Sequence, residues 1–231
     1  MYQAAQALSP EDCPALREQL RAFASDVLLH FIDKDHLIRE VISADRTFFP
    51  RILGRHINPG HSLEDAWFEM DAAAICGEPW EEQLLAVVRA TLNAGWDKEY
   101  GGLLHFAGLT GGKPDGDRTG VEDEPMTAQL AGWGDKLWWV HSEALYCTLR
   151  CYFTSEGDED FLVWHERIAE YTLRRFRNPD PAVREWIQIL ARDGTPQEKV
   201  VALPVKDPFH ITRNLILMIE LLHWQLEQLP R

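Results

Sequence analysis

Asn58-Pro59-Gly60-His61-Ser62-Leu63-Glu64 is the stretch in which the helical character of this chain is clearest, because a turn passes directly into an amphipathic helix. Pro59-Gly60 predicts the turn, and Ser62 followed three residues later by Asp65 is typical of a helix N-cap with an acidic N3 residue. The residues that recur at helical spacing are Leu63, Ala66, Trp67, Met70 and Ala74. His61 is therefore expected beside the positive end of a helix dipole, which favours a neutral imidazole.

A second histidine stands at the start of another predicted helix. Asp207-Pro208 is typical of an N-cap followed by proline at the first helical position, and His210 comes two residues later. Two neutral imidazoles that face one substrate could take a proton from one side of a carbon and return a proton on the other. That is the chemistry of an epimerase.

Four other segments repeat their apolar residues every three or four positions, which predicts four more helices. One follows a cap at residues 9–12, the next runs from about Pro79 to Asn93, and two begin at Asp135 and after Asp158. Their apolar positions are Leu16, Leu20, Phe23 and Val27; Leu84, Leu85, Val88 and Leu92; Trp138, Trp139, Tyr146 and Leu149; and Phe161, Trp164, Ile168 and Tyr171. With the helix that opens at Ser62 and a helix from Pro208 to about Gln228, six helices are predicted.

Short strand-like segments lie between the helices. Residues 37–42 and 102–106 resemble strands, and 186–191 is predicted to pair with 198–203 in a hairpin around Asp193-Gly194. Six helices joined by loops and small hairpins predict an all-α array rather than a βαβ sheet.

Residues 107–134 are rich in glycine and acidic residues, which predicts one long loop. Within it, Gly111-Gly112-Lys113-Pro114 lacks both the spacing and the Ser or Thr of a phosphate-binding loop, so that interpretation is rejected. The chain as a whole, residues 1–231, is predicted to form a single domain.

Composition restricts the class of protein further. With 231 residues, 45% hydrophobic and 26% charged, the chain resembles a globular protein with ample material for a core. The formal charge of −14 argues against a nucleic-acid or anionic-membrane surface. No apolar run reaches the roughly 18 residues of a membrane span, and no secretory signal is recognised. The four cysteines contain no CxxC motif, so buried thiols and a cytoplasmic location are expected.

Local neighbours suggest chemistry for both histidines. Glu64 lies three residues after His61 on the same helix face, where a carboxylate can orient an imidazole, although a locally satisfied capping pair gives the same pattern. A divalent metal held by His61, Glu64 and His210 is a weaker alternative, because no close-spaced second ligand pair supports it. Arg213 follows His210 by three residues and could stabilise an enediolate, or could be a surface arginine.

Trp139 and Glu143 lie four residues apart on one predicted helix. An aromatic plate beside a carboxylate is a typical arrangement for binding a sugar, through stacking and hydroxyl recognition. A core tryptophan beside a solvated glutamate is the competing interpretation.

Four motifs together resemble the N-acylglucosamine 2-epimerase family, which includes N-acylglucosamine 2-epimerase, cellobiose 2-epimerase and related aldose–ketose isomerases. The motifs are Asn58-Pro-Gly-His-Ser-Leu-Glu-Asp-Ala-Trp-Phe68, Gly95-Trp96-Asp97 with Gly101-Gly102-Leu103, Lys136-Leu-Trp-Trp-Val-His-Ser-Glu-Ala144, and Phe209-His210. Their order and approximate spacing also match, and the resemblance extends from about residue 28 to residue 222.

The resemblance implies the C-terminal half of an (α/α)6 barrel with short β-hairpins in its loops. It also implies that His61 and His210 are the catalytic acid/base residues and that Glu64 supports His61. The positions implied to bind the sugar are Trp138, Trp139, Glu143 and Arg213. The expected reaction is proton transfer at C2 of a sugar through a cis-enediolate, with no cofactor and no metal.

Two departures from the family pattern matter. Family members are about twice as long, so the chain is expected to be a fragment, half of a split enzyme, or a subunit completed by a homodimer or a separate N-terminal half chain. Locally, Val205 stands where many members carry an aromatic residue, and Thr212 replaces the usual proline. These departures keep open a non-catalytic relative that acts as a binding or interaction module. A glycoside hydrolase that uses Glu64 and Glu143 is a third alternative.

Overall fold

A computed structural model describes residues 14–199 and 209–228 of the chain. Its α-helices are α1 (Pro14–His30), α2 (Pro59–Cys76), α3 (Glu81–Gly95), α4 (Pro125–Gln129), α5 (Trp138–Thr154), α6 (Glu159–Arg175) and α7 (Phe209–Gln228). Its strands are β1 (His56–Ile57), β2 (Ala107–Gly108), β3 (Lys136–Leu137) and β4 (Ile189–Leu190). β1 pairs antiparallel with β2, and β3 pairs antiparallel with β4. All six predicted helices are present, and the short α4 is an addition.

α5 is the centre of the fold, because 12 of its 17 residues are buried. It packs against α2, α6 and α7, and α3 covers the other side of α2. The main core joins apolar residues from these helices, including Leu63, Leu84 and Val140. In α7, by contrast, Asn214 is the one buried residue among residues 209–228. The fold therefore has a well-covered centre and an open flank along α7.

The start of α2 differs from the sequence prediction, and the difference moves His61 into the helix. Asn58, not Ser62, is the N-cap: its side-chain oxygen accepts hydrogen bonds from the backbone N–H groups of Gly60 (3.1 Å) and His61 (3.3 Å). Pro59 then occupies the first helical position, where its missing N–H costs nothing. His61 consequently lies at the third position of the first turn, with its backbone amide capped.

Several predicted positions need smaller corrections. α3 begins at Glu81 rather than Pro79, and α5 begins at Trp138 rather than Asp135, because Lys136–Leu137 is a strand. Phe23 is 63% exposed, since α1 packs through Ala24 and Leu28 instead. Ala74 is likewise exposed on α2. The start of α6 is confirmed: Asp158 is its N-cap and accepts a hydrogen bond from the amide of Asp160 at 3.0 Å.

The predicted hairpin is also rearranged. β4 pairs with β3, and the chain after the Asp193-Gly194 turn returns along β4 through a bridge between Leu190 and Pro196. Residues 107–134 are not one continuous loop, because they contain β2, α4 and a 3-10 turn at Leu130–Gly132. The strand-like segments 37–42 and 102–106 form isolated bridges rather than strands.

Some predictions lie outside the described residues: the cap at residues 9–12, Asp207-Pro208, Val205, and the hairpin strand beyond Lys199. Cys147 and Cys151 are buried free thiols, as expected. In residues 14–199 and 209–228, no helix combines the length and apolar character that crossing a lipid bilayer requires.

Candidate active site

The first turn of α2 lies directly against Trp139 of α5. A Cβ atom at Gly60 would come within 2.5 Å of two carbons of the Trp139 ring, so only glycine fits there. The neighbouring residue, His61, lies with its ring centroid 5.1 Å from that of Trp139 and tilted by 33°. The turn sequence thus sets one imidazole beside the indole.

Glu40, which precedes α2, is the hydrogen-bond partner of His61. His61 Nδ1 lies 2.5 Å from Glu40 Oε1. A carboxylate only accepts, so Nδ1 carries the proton, and Nε2 is left as the basic nitrogen of the neutral ring. This contact corrects the expectation that Glu64 orients His61, and Glu64 acts on it only through its charge.

The electrostatics of His61 also differ from expectation. Burial would lower the pKa of His61, but the hydrogen bond and charge of Glu40, together with the charges of Glu64 and Asp65, raise the pKa above its ordinary value. For Glu40, burial would raise the pKa, whereas hydrogen bonds from His56 and His61 lower it to about 2. The pKa of His61 therefore shifts in the opposite direction to the one expected from a helix N-terminus.

His210, at the start of α7, is the second imidazole beside Trp139. Its ring centroid is 5.1 Å from that of Trp139 at a tilt of 34°, and its Nδ1 lies 2.6 Å from Glu143 Oε1. As at His61, the proton belongs on Nδ1 and Nε2 is the basic nitrogen. Ser142 fixes the backbone here by donating to the carbonyl oxygen of His210 at 3.2 Å.

Arg213 joins the two carboxylates near His210. Its Nη2 lies 2.7 Å from Glu64 Oε1 and 2.5 Å from Glu143 Oε1. Glu143 is fully buried, and its other oxygen accepts from Trp67 Nε1 at 2.9 Å. Guanidinium groups match carboxylates well and resist deprotonation, so this cluster keeps one positive charge between two negative ones.

The cluster of Glu64, Glu143, His210 and Arg213 bears on two alternatives raised by the sequence, a metal site and a glycoside hydrolase. Ligand atoms of Glu64, Glu143 and His210 lie within 4.8 Å of one another, as in a metal site, but His61 is outside this group and Arg213 contacts both carboxylates. Arg213 thus occupies an oxygen of each carboxylate and brings a positive charge where a cation would bind. A hydrolase would need Glu64 and Glu143 to reach substrate, yet both oxygens face the same guanidinium, which disfavours that interpretation.

The sugar-binding residues implied by the resemblance lie at different depths. Trp139 is half-buried, and its ring lies near both imidazoles. Trp138 is only 3% exposed and packs edge-on to His210 at 6.0 Å, and Glu143 is fully buried. Trp138 and Glu143 thus support His210, and their direct contact with a sugar stays a prediction.

Sequence reasoning missed Glu40 and His56. Glu40 lies in residues 37–42, for which the sequence indicates only a strand-like segment, and no motif surrounds His56, which is completely buried. His141 is also buried, and its role is structural: its Nδ1 donates to the Leu137 carbonyl at 2.8 Å and its Nε2 accepts from the Leu103 amide at 3.0 Å. No local signal in the sequence separates these two histidines.

Comparison with known proteins identifies relatives over most of the chain. A model of the N-acylglucosamine 2-epimerase (GlcNAc 2-epimerase) family matches residues 11–213. The N-acylglucosamine 2-epimerase of Mus musculus is 34% identical over 205 residues, which cover 88% of this chain and 45% of the mouse protein. The enzyme of that name from Homo sapiens is 34% identical over 202 residues, covering 86% of this chain and 43% of the human protein. The chain spans about half the length of these relatives.

Solved structures give the same fold. Cellobiose 2-epimerase from Bacillus thermoamylovorans superposes with a TM-score of 0.69 at 19% identity, over 90% of this chain and 47% of that protein. A D-mannose isomerase superposes with a TM-score of 0.69 at 16% identity, over 94% of this chain and 51% of that protein. Both are (α/α)6 barrels, so the predicted fold class is confirmed, and this chain corresponds to about half of such a barrel.

Proposed function

The chain belongs to the N-acylglucosamine 2-epimerase family, and we propose that His61 and His210 are the acid/base pair of a sugar 2-epimerase or aldose–ketose isomerase. One observation carries the proposal: the ring centroid of each imidazole lies 5.1 Å from that of Trp139, and each imidazole has its Nδ1 held by a carboxylate. Each ring therefore has Nε2 available for proton transfer. Two such groups beside one aromatic plate suit a reaction that moves a proton on and off a sugar carbon.

The proposed reaction acts on the open-chain aldose stacked along Trp139. The Nε2 atom of one histidine takes the proton from C2, which is acidic because it is α to the aldehyde, and the C2–H electron pair forms a cis-enediolate. The other histidine, protonated at the outset, returns its Nε2 proton to the opposite face of C2, which gives the epimer. Return of a proton to C1 instead gives the ketose.

Positive charge near the site would stabilise the enediolate anion. The N-termini of α2 and α7 both lie at the histidines, and helix N-termini favour negative charge. Arg213 adds a guanidinium, although it is engaged by Glu64 and Glu143. Preorganised donors of this kind commonly provide the largest single contribution to catalysis of such reactions.

The test follows hydrogen exchange at C2. The protein is incubated in D2O with a panel that includes N-acylglucosamine, cellobiose and mannose, and the C2–H signal is followed by NMR. We expect exchange with at least one sugar, and loss of about 10²-fold or more in His61→Asn and His210→Asn. His223→Asn is the matched control, because His223 is exposed on the same helix as His210. Exchange that survives both active-site substitutions would refute the acid/base assignment.

A second candidate, a non-catalytic module for binding or interaction, is favoured by the open flank of α7. Its exposed large apolar side chains are Phe209, Leu215, Ile216, Ile219, Leu222, Trp224 and Leu226. A patch of this kind normally marks an interface. We propose that a second copy or a separate half of the barrel covers it. A binding module would retain sugar affinity in both histidine variants and show no exchange in the parent protein.

A further inference from the structure

Glu40 is shared between two histidines. Its Oε1 lies 2.5 Å from His61 Nδ1, and its Oε2 lies 3.1 Å from His56 Nε2. The Glu40 side chain is 13% exposed and that of His56 is fully buried, whereas His61 is 58% exposed. The hydrogen-bonded row His56–Glu40–His61 therefore begins in the interior at His56 and ends at the exposed ring of His61.

The segment that carries Glu40 is held in place by its neighbour. Arg39 forms an ion pair with Asp33 at 2.6 Å and donates to the carbonyl oxygen of Gly54 at 2.5 Å, and its backbone amide donates to Phe31 at 2.9 Å. These contacts tie the segment to the turn that leads into β1. Glu40 thus approaches His61 from a fixed backbone.

His56 is fixed equally well. It lies in β1 opposite Gly108, and its ring packs edge-on against Phe106 at 5.5 Å. Its Nδ1 faces the carbonyl oxygen of Ile52 at 3.4 Å, so both ring nitrogens face oxygen acceptors. His56 is fixed in this way and holds Oε2 of Glu40 through its Nε2. The Glu40 carboxylate is therefore kept from rotating away from His61.

We propose that Glu40 and His56 are positioning residues for His61. Glu40 fixes the proton of His61 on Nδ1, so that Nε2 is the nitrogen presented to substrate, and His56 fixes Glu40. The catalytic meaning of this arrangement rests on the proposed function, whereas the tautomer itself does not. Where a carboxylate of this kind is replaced by its amide, the wrong tautomer lowers kcat by up to about 10⁴-fold in a well-studied hydrolase triad.

The charges around His61 agree with this role. Glu40, Glu64 and Asp65 are the groups that raise the pKa of His61 against the effect of burial. Glu40 makes the largest of these contributions, through both its hydrogen bond and its charge. Removal of the Glu40 charge should therefore lower the pKa of His61.

The experiment reads the tautomer of His61 directly, by 15N NMR of the imidazole nitrogens, with the His61 signals assigned from His61→Asn. In the parent protein we expect the Nδ1–H form at pH above its pKa. In Glu40→Gln the amide can donate to Nδ1, so we expect a switch to the Nε2–H form and a lower pKa. His56→Gln should leave the tautomer unchanged, whereas His56→Leu should give a mixture.

Activity provides the second readout. For Glu40→Gln we expect kcat to fall by about 10²- to 10⁴-fold with KM changed less than about threefold, because the substituted group does not touch substrate. Glu78→Gln is the control, since Glu78 pairs with Arg21. An unchanged tautomer in Glu40→Gln overturns the proposal. If the parent protein exchanges no sugar proton, the proposed function fails, but a tautomer switch still supports the positioning role.

Discussion

Glu69 of α2 should make the stability of this protein fall as pH rises. The residue is 7% exposed, and its Oε2 has no hydrogen-bond partner among the described residues. Burial, together with the charge of Asp65 one turn earlier, raises its pKa from 4.5 to about 8. The folded protein therefore binds this proton more tightly than the unfolded chain, and stability is lost between pH 4.5 and pH 8.

The magnitude follows from the difference of about 3.5 between the two pKa values, at about 1.4 kcal/mol for each pKa unit. Relative to low pH, where Glu69 is protonated in both states, the free energy of unfolding falls by about 1 kcal/mol at pH 5 and about 4 kcal/mol at pH 8. Glu69→Gln is neutral at every pH and of similar size, so it should be more stable than the parent protein by about 1 kcal/mol at pH 5. At pH 8 the difference should be about 4 kcal/mol.

Urea unfolding at pH 5, 6, 7 and 8 measures this difference. Glu82→Gln is the control, because Glu82 is an exposed glutamate in the first turn of α3, and we expect its substitution to leave the pH dependence unchanged. The reasoning is refuted if the gain from Glu69→Gln is the same at pH 5 and pH 8. A gain that appears equally in the control would point to net charge instead of burial.

Two further substitutions probe the packing around the site. Gly60→Ala places a Cβ within 2.5 Å of the Trp139 ring. We therefore expect a loss of about 1–3 kcal/mol of stability in urea unfolding and at least tenfold slower C2 exchange. Parent-like values for both would contradict the close contact. Lys136→Met removes a fully buried ammonium that lies 2.9 Å from Asp97. We expect the free energy of unfolding, measured by thermal unfolding, to fall by about 3 kcal/mol, and part of this loss to be recovered when Asp97→Asn is added. If the losses of Lys136→Met and of Asp97→Asn add up to the loss of the double variant, Lys136 and Asp97 are not coupled.

The helices could be read from sequence because each carries its own periodic face and, in several cases, its own cap. Asp158 predicts the start of α6 correctly, whereas for α2 the Ser62 cap is wrong and Asn58 is the N-cap. The Asn-Pro pair and the Ser-x-x-Asp pattern both lie within residues 58–65. The Asn-Pro pair determines the helix start because proline at the first helical position restricts the backbone before Ser62 is reached. Local rules compete, and only the folded backbone shows which one applies.

The two histidines could be predicted because both mark helix starts, but their partners could not. Glu40 is 21 residues from His61, and Glu143 is 67 residues from His210. Such contacts depend on how an irregular segment and α5 pack, which no periodic pattern records. Glu64 was a reasonable choice for His61 by spacing alone. The fold instead turns it toward Arg213 of α7, a contact of 149 residues' separation.

The two histidines beside Trp139 have the same kind of support. Glu40 holds Nδ1 of His61, and Glu143 holds Nδ1 of His210. In the proposed reaction one imidazole acts as the base while the other acts as the acid, and the reverse reaction exchanges these roles. Because the same nitrogen is held on both rings, both present Nε2, and either ring fits either role.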